Sequence, residues 1–166
     1  KEEEVERVSN IREYDIKISR KDELRNDSDI DYARVLYSSS FRRLQGKMQL
    51  FIPKSLNFHR NRLTHSLEVA QIAKSIAKRL NLKDTQTVQT CSLAHDIGNP
   101  PFGHAGEIFL SQCSEKAHYE GNAQTFRVLT HLEEKHYNYN GLNLSLRTIL
   151  GTVKYPNSYD QNQKKY

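Results

Sequence analysis

Residues 62–80 read RLTHSLEVAQIAKSIAKRL, and this stretch decides the fold. Leu63, Leu67, Ala70, Ala73, Ile76, Ala77 and Leu80 recur at helical spacing, which predicts one buried stripe on a helix from about Arg62 to Leu80. His65 falls off that stripe. Downstream, Asp84 reads as the N-cap of a helix carrying Val88, Cys91, Leu93 and Ala94. That helix must stop near Gly98, because Pro100 and Pro101 cannot continue it. Upstream, Asp29 can cap a helix running to about Leu44, with Ile30, Ala33, Tyr37, Phe41 and Leu44 near helical spacing, until Gly46 breaks it. Met48 to Pro53 is expected to be a short extended piece. Further helices are expected from about Gly106 to Cys113, from Asn122 to about Lys135 through Phe126, Leu129 and Leu132, and from Ser145 to Lys154, ended by Pro156. Strand signals are weak, so the expected class is all-α.

The 166 residues suffice for one domain with its own core. An apolar share of 36% is low for that size, as is a mean hydropathy of −0.79, so the chain is polar and loop-rich or belongs to something larger. Two cysteines, Cys91 and Cys113, make neither a disulfide framework nor a paired metal knuckle, which fits a reducing cytoplasm. No stretch approaches the roughly 20 apolar residues of a spanning helix. The charged start, Lys1 to Glu6, has no apolar signal region, so a soluble cytoplasmic protein without a membrane partner is expected. Lys and Arg outnumber Asp and Glu by 25 to 20, a net charge of +5. Such an excess suits an anionic partner, and a solvated basic surface explains it equally well.

Chemistry concentrates in Ala94-His95-Asp96-Ile97-Gly98-Asn99-Pro100-Pro101-Phe102-Gly103-His104-Ala105-Gly106-Glu107. Two imidazoles and two carboxylates surround a helix end that Gly and Pro force to turn. At such an end His95 and Asp96 can converge on one cation, with His65 arriving from the long helix. Neutral imidazole and carboxylate are ligands for a divalent transition metal, in a site left open for water and substrate. The plainer reading is a surface His–Asp pair and a Pro-Pro helix stop. The second His, with a Glu three residues on, favours the chemical one.

These residues resemble a known signature. His65 within Arg60-Asn61-Arg62-Leu63-Thr64-His65-Ser66, followed by His95-Asp96, resembles the HD-domain metal-dependent phosphohydrolases. The run from His95 to His104 resembles their deoxyguanosine triphosphate triphosphohydrolase branch. So do Phe41-Arg42-Arg43-Leu44-Gln45, Tyr119-Glu120-Gly121-Asn122-Ala123-Gln124-Thr125, Gly141-Leu142-Asn143-Leu144 and Lys154-Tyr155-Pro156. The resemblance spans about Tyr32 to Pro156. It implies an HD-type helical bundle at 29–156, between a polar segment at 1–28 and a polar tail at 157–166.

The resemblance further implies that His65, His95 and Asp96 hold a divalent ion (Mn, Fe, Co, Ni, Zn or Mg), with a fourth Asp much further along. Asp160 stands only a few residues past Pro156, so the chain is expected to be the N-terminal part of a larger helical protein. The expected reaction cleaves a deoxynucleoside triphosphate, dGTP foremost, at the α-phosphorus into deoxynucleoside and tripolyphosphate. His104 would move the proton, oriented by Glu107; a helix-start His with a Glu in the first turn is the plainer account of that pair. Arg62, one turn before His65, is expected to grip phosphate, with Lys154 a second candidate. Gln49 or Gln45 could read a base edge, and the resemblance favours Gln49. It also implies a homo-oligomer; single-stranded DNA is a further candidate partner. His59, His118, His131 and His136 are read as structural or surface residues. Two other functions fit part of the pattern: a different HD-type nucleotide phosphohydrolase, and a nucleotide- or nucleic-acid-binding module with a decayed site.

Overall fold

A computed structural model describes residues 10–14, 24–49, 60–114 and 118–154. Its regular elements are helical: α1 (Asp27–Leu36), α2 (Ser39–Arg43) running into a 3-10 turn (Leu44–Gly46), α3 (Arg62–Arg79), α4 (Thr85–Ala94), α5 (Gly103–Gln112), α6 (Gly121–Arg127) continued by a π-helical turn (Val128–Leu132), and α7 (Leu146–Thr152). β pairing among the described residues is limited to isolated bridges, one of them between Met48 and Asn61. The rest of the extended piece expected at Met48–Pro53, His59, Tyr155–Pro156 and Asp160 lie outside the described residues.

Local chemistry sets the helix ends. Asp84 caps α4 by accepting from the Thr87 amide, and Ser145 caps α7 by accepting from Thr148, as expected. The single helix expected from Asp29 to Leu44 is instead two. Asn26 caps α1 in a reciprocal box with Asp29, Tyr37 ends it, and Ser38 caps a fresh start at α2. Glu133 then receives both Ser39 N–H and O–H, at 2.7 and 2.9 Å, and the Ser40 amide at 3.1 Å, an anion seated on the start of α2. α5 begins three residues before the expected Gly106, and the helix from Gly121 ends at Leu132 rather than Lys135.

Helix α4 lies at the centre, packed against α1, α3 and α7. The core is built from Val35, Phe41, Leu44, Ala70, Leu93, Ala94, Ile97, Val128, Leu129, Leu142 and Leu144. Two predicted stripes are corrected in part. On α3 the buried positions are Arg62, Ser66, Ala70 and Ala77, while Leu67, Ile76 and Leu80 face outward. At α6, Thr125, Val128 and Leu129 are buried and Phe126 and Leu132 are exposed. Ala70, Ala77 and Leu129 are buried as expected, and the polar Arg62, Ser66 and Thr125 share those inner faces with them.

Residues 10–14 are tied into the bundle. The fully buried Asp31 carboxylate receives Arg12, the Ser145 amide at 3.0 Å and the Ser145 and Thr148 hydroxyls at 2.6 and 2.7 Å. A carboxylate taken out of water is tolerated only with such pairing. Asn143 bonds the Tyr14 amide and carbonyl with its side chain, at 3.2 and 2.8 Å. The chain ahead of α1 thereby locks α1 to α7.

Candidate metal centre and acid–base pair

Helix α4 ends one residue before the site, and the turn that follows builds it. His95 and Asp96 lie in that turn, and His65 reaches them from the first turns of α3. One ligand atom from each of the three lies within 4.8 Å of the others. The two imidazoles meet edge to face at 5.4 Å between ring centres. His95 and Asp96 are 3.2 Å apart through Nε2 and Oδ1.

His95 and Asp96 are each held from behind. His95 Nδ1 lies 2.8 Å from the Ser92 carbonyl oxygen, so this nitrogen carries the hydrogen and Nε2 keeps a free lone pair. Burial pushes the His95 pKa down, against the pull of Asp96 and the Ser92 carbonyl, and Lys154 and His65 lower it further. The ring therefore favours its neutral, ligating form. Asp96 is buried and accepts from Asn99 Nδ2 at 2.6 Å on one oxygen and from Arg62 at 2.8 Å on the other. Each oxygen retains a lone pair for a cation. Two imidazoles and one braced carboxylate are a donor set suited to a divalent ion.

The second cluster starts where Phe102 and Gly103 turn the chain through two left-handed residues, φ 66° and 56°. This reversal starts α5 next to Arg62, whose second amino group would lie 3.1 Å from a Cβ on Gly103. His104 Nδ1 lies 3.2 Å from Glu107 Oε2, and Glu107 Oε1 accepts the Gly121 amide at 2.8 Å. The carboxylate is thus fixed at one oxygen and directs the imidazole with the other. The His104 ring is 60% exposed, open to a reactant. A cavity of about 410 Å³ borders this pair, lined also by Ile108, Ser111, Gln112, His118 and Tyr119. It opens on the pair and not on the trio.

Two glycines permit this crowding. Gly98 donates to Thr125 Oγ1 at 2.9 Å and accepts from the Tyr119 hydroxyl at 2.6 Å. A Cβ on Gly98 would sit 2.1 Å from the Thr125 nitrogen and 2.3 Å from the Gly121 oxygen. At Gly121 it would lie 2.7 Å from both Asn99 Oδ1 and Glu107 Oε1. Gly98→Ala should therefore force the His95–Asp96 turn away from α6. The expected cost is about 3 kcal/mol or more, read as a lowered denaturant midpoint.

The remaining expected site residues divide. Arg62 is buried against Asp96, so one face of its guanidinium is already committed. Lys154 is exposed, yet near enough for its charge to act on His95. Gln49 pairs its amide with the Arg60 carbonyl at 3.1 Å, and its side-chain Oε1 is buried with no hydrogen-bond partner. Sequence reasoning missed Asn99 and Lys47. Asn99 stands three residues past Asp96 in a turn, a spacing that could have marked it. Lys47 reaches the Asn99 carbonyl from 52 residues away and left no local signal.

Comparison with known proteins agrees with this geometry. A family model described as HD domain matches residues 62–154. A Vibrio cholerae protein named deoxyguanosinetriphosphate triphosphohydrolase-like protein 2 is 62% identical over 143 residues, covering 86% of this chain and 36% of that protein. A Mesorhizobium japonicum protein of the same name is 49% identical, over 76% of this chain and 30% of its own. A Rickettsia prowazekii deoxyguanosinetriphosphate triphosphohydrolase-like protein is 45% identical, over 79% and 34%. The chain spans about a third of the length of these curated relatives.

Proposed function

The chain belongs to the HD-domain family, in its deoxyguanosine triphosphate triphosphohydrolase-like group, and from that premise we propose that the whole protein hydrolyses deoxynucleoside triphosphates at the α-phosphorus. The observation that carries this reading is the link between the His65–His95–Asp96 trio and the His104–Glu107 pair: Arg62, bonded to Asp96, reaches Gly103 next to His104, and Asn99, which braces Asp96, flanks Gly121 together with Glu107. His65, His95 and Asp96 would hold a divalent ion, which when bound supplies Lewis-acid polarisation of a phosphate oxygen. Arg62 holds Asp96 in place and presents its second amino group toward Gly103, where an α-phosphate can lie between the trio and His104.

His104 then handles the proton. Its Nε2 accepts a proton from water as the water oxygen bonds the α-phosphorus. The bond from that phosphorus to the 5′ oxygen breaks, and the 5′ oxygen takes the proton. One water is consumed, and deoxynucleoside and tripolyphosphate leave. Glu107 supports this by holding the imidazole Nδ1–H and stabilising the charge that forms on the ring. Lys154 adds positive charge near the trio, and the buried Gln49 Oε1 offers an acceptor to the nucleoside. dGTP is the substrate that the names of the relatives favour.

Product analysis tests the reading. Full-length protein incubated with each dNTP and Mn²⁺ should yield deoxynucleoside and tripolyphosphate, separated by ion-exchange chromatography. Release of nucleoside monophosphate or single phosphate would assign the site to another phosphohydrolase reaction. Bound metal without any product would point to a binding module.

A further inference from the structure

Lys47 follows the 3-10 turn, in backbone contact with the start of α3: its carbonyl accepts the Arg62 amide at 2.9 Å. Its ammonium lies half-buried and donates to the Asn99 carbonyl, in the same turn whose side chain braces Asp96. Among the described residues, that carbonyl is the acceptor recorded for Nζ, and it uses one of three N–H bonds.

The surroundings are short of negative charge. Arg43 and Arg62 both act on Lys47 with like charge, and Asp96 is the carboxylate that opposes them. Asp96 is already engaged by Arg62 and Asn99. Burial first, then the two guanidinium groups, lower the Lys47 pKa to about 8. A cation held in this way, beside Arg62 and near enough to Asp96 for their charges to interact, is stabilised by an incoming polyanion. Ammonium is a point-charge donor suited to phosphate oxygens, whose positions along a flexible chain vary.

We propose that Lys47 is a ligand of the substrate's phosphate chain, reaching across the Asn99 turn to phosphate oxygens beside the His65–His95–Asp96 trio. For the identity of the ligand this rests on the hydrolase reading above; the cation cluster itself does not. The competing account is that Lys47 only ties the Asn99 turn in place. That account predicts loss of metal affinity through Asp96, whereas a phosphate ligand changes polyphosphate affinity alone.

The test is direct binding of inorganic tripolyphosphate to full-length protein, by calorimetry, with Mn²⁺ binding measured in parallel. Lys47→Met should weaken tripolyphosphate about 10–100-fold, the loss expected for a charge-assisted hydrogen bond, and leave Mn²⁺ affinity within about twofold. Should that variant fail to fold, Lys47→Gln carries the same test, since its amide can still donate to the Asn99 carbonyl without a charge. Unchanged tripolyphosphate affinity, or a parallel fall in Mn²⁺ affinity, would overturn the proposal. Wild-type protein that binds tripolyphosphate through Lys47 but splits no dNTP sinks the hydrolase reading alone. Normal dNTP cleavage with unaltered KM in Lys47→Met sinks the Lys47 assignment alone.

Discussion

Replacing His104 with alanine in the full-length protein should lower kcat by about 10²–10⁴-fold, the usual yield of one acid–base group, while metal content stays at its wild-type value. The separation of these two readouts follows from the geometry. The bonds that hold the trio run from His95 to Ser92 and from Asn99 and Arg62 to Asp96. The bonds that hold the pair run from His104 to Glu107 and on to Gly121. Deleting the exposed imidazole opens no core cavity, so stability should change little. Single-turnover rates in Mn²⁺, set beside metal analysis of the same sample, make the check. A wild-type rate would remove His104 from the chemistry, and joint loss of rate and metal would place it among the ligands.

His95→Ala should abolish stoichiometric metal binding. His95 supplies the Nε2 lone pair 3.2 Å from Asp96, and its other nitrogen is fixed by Ser92, so no rotation of a neighbour replaces it. Removal also leaves the Asp96 carboxylate with Arg62 and Asn99 but without the ring that shields it. Loss of one ligand and its bracing exceeds the 10–100-fold affinity drop typical of losing an outer partner alone, on the order of which the Asn99 contact is expected to act. Elemental analysis after dialysis decides it. Metal retained at wild-type stoichiometry would remove His95 from the ligand set and, with it, the basis for the metal reading.

The sequence made parts of this molecule legible for physical reasons. Caps act within three residues, so Asp84 and Ser145 could be recognised from their own neighbourhoods. The Gly and Pro residues after Asp96 announced the turn that gathers the site, and His65, His95 and Asp96 do come together there. The reading of faces held only in part: Ala70, Ala77 and Leu129 are buried as expected. Leu67, Ile76 and Leu80 sit at helical spacing, yet the inner face of α3 belongs to Arg62, Ser66 and Ala70 because Asp96 and α4 lie on that side. Apolar periodicity presumes that the hidden face is the oily one. The helix from Asp29 to Leu44 failed for another reason: Ser38 restarts the chain, and Glu133, 94 residues beyond Ser39, is seated on the new helix start. Lys47 and Asn99 share that limit, since their meeting depends on tertiary placement rather than spacing.

The Asp31 cluster also dictates an order of events. Its hydroxyl partners, Ser145 and Thr148, are 114 and 117 residues downstream. At about 5–20 residues per second of synthesis, the Asp31 carboxylate leaves the ribosome roughly 6–23 s before them. During that interval Arg12 is available to it, but α7 is not. A nascent chain can pack α1 and α3 on α4 before α7 emerges, with the Asp31 carboxylate paired to Arg12 but still without its hydroxyl partners. The bonds that surround the Asp31 carboxylate are therefore completed only when α7 arrives, after α1 and α4 have been free to meet.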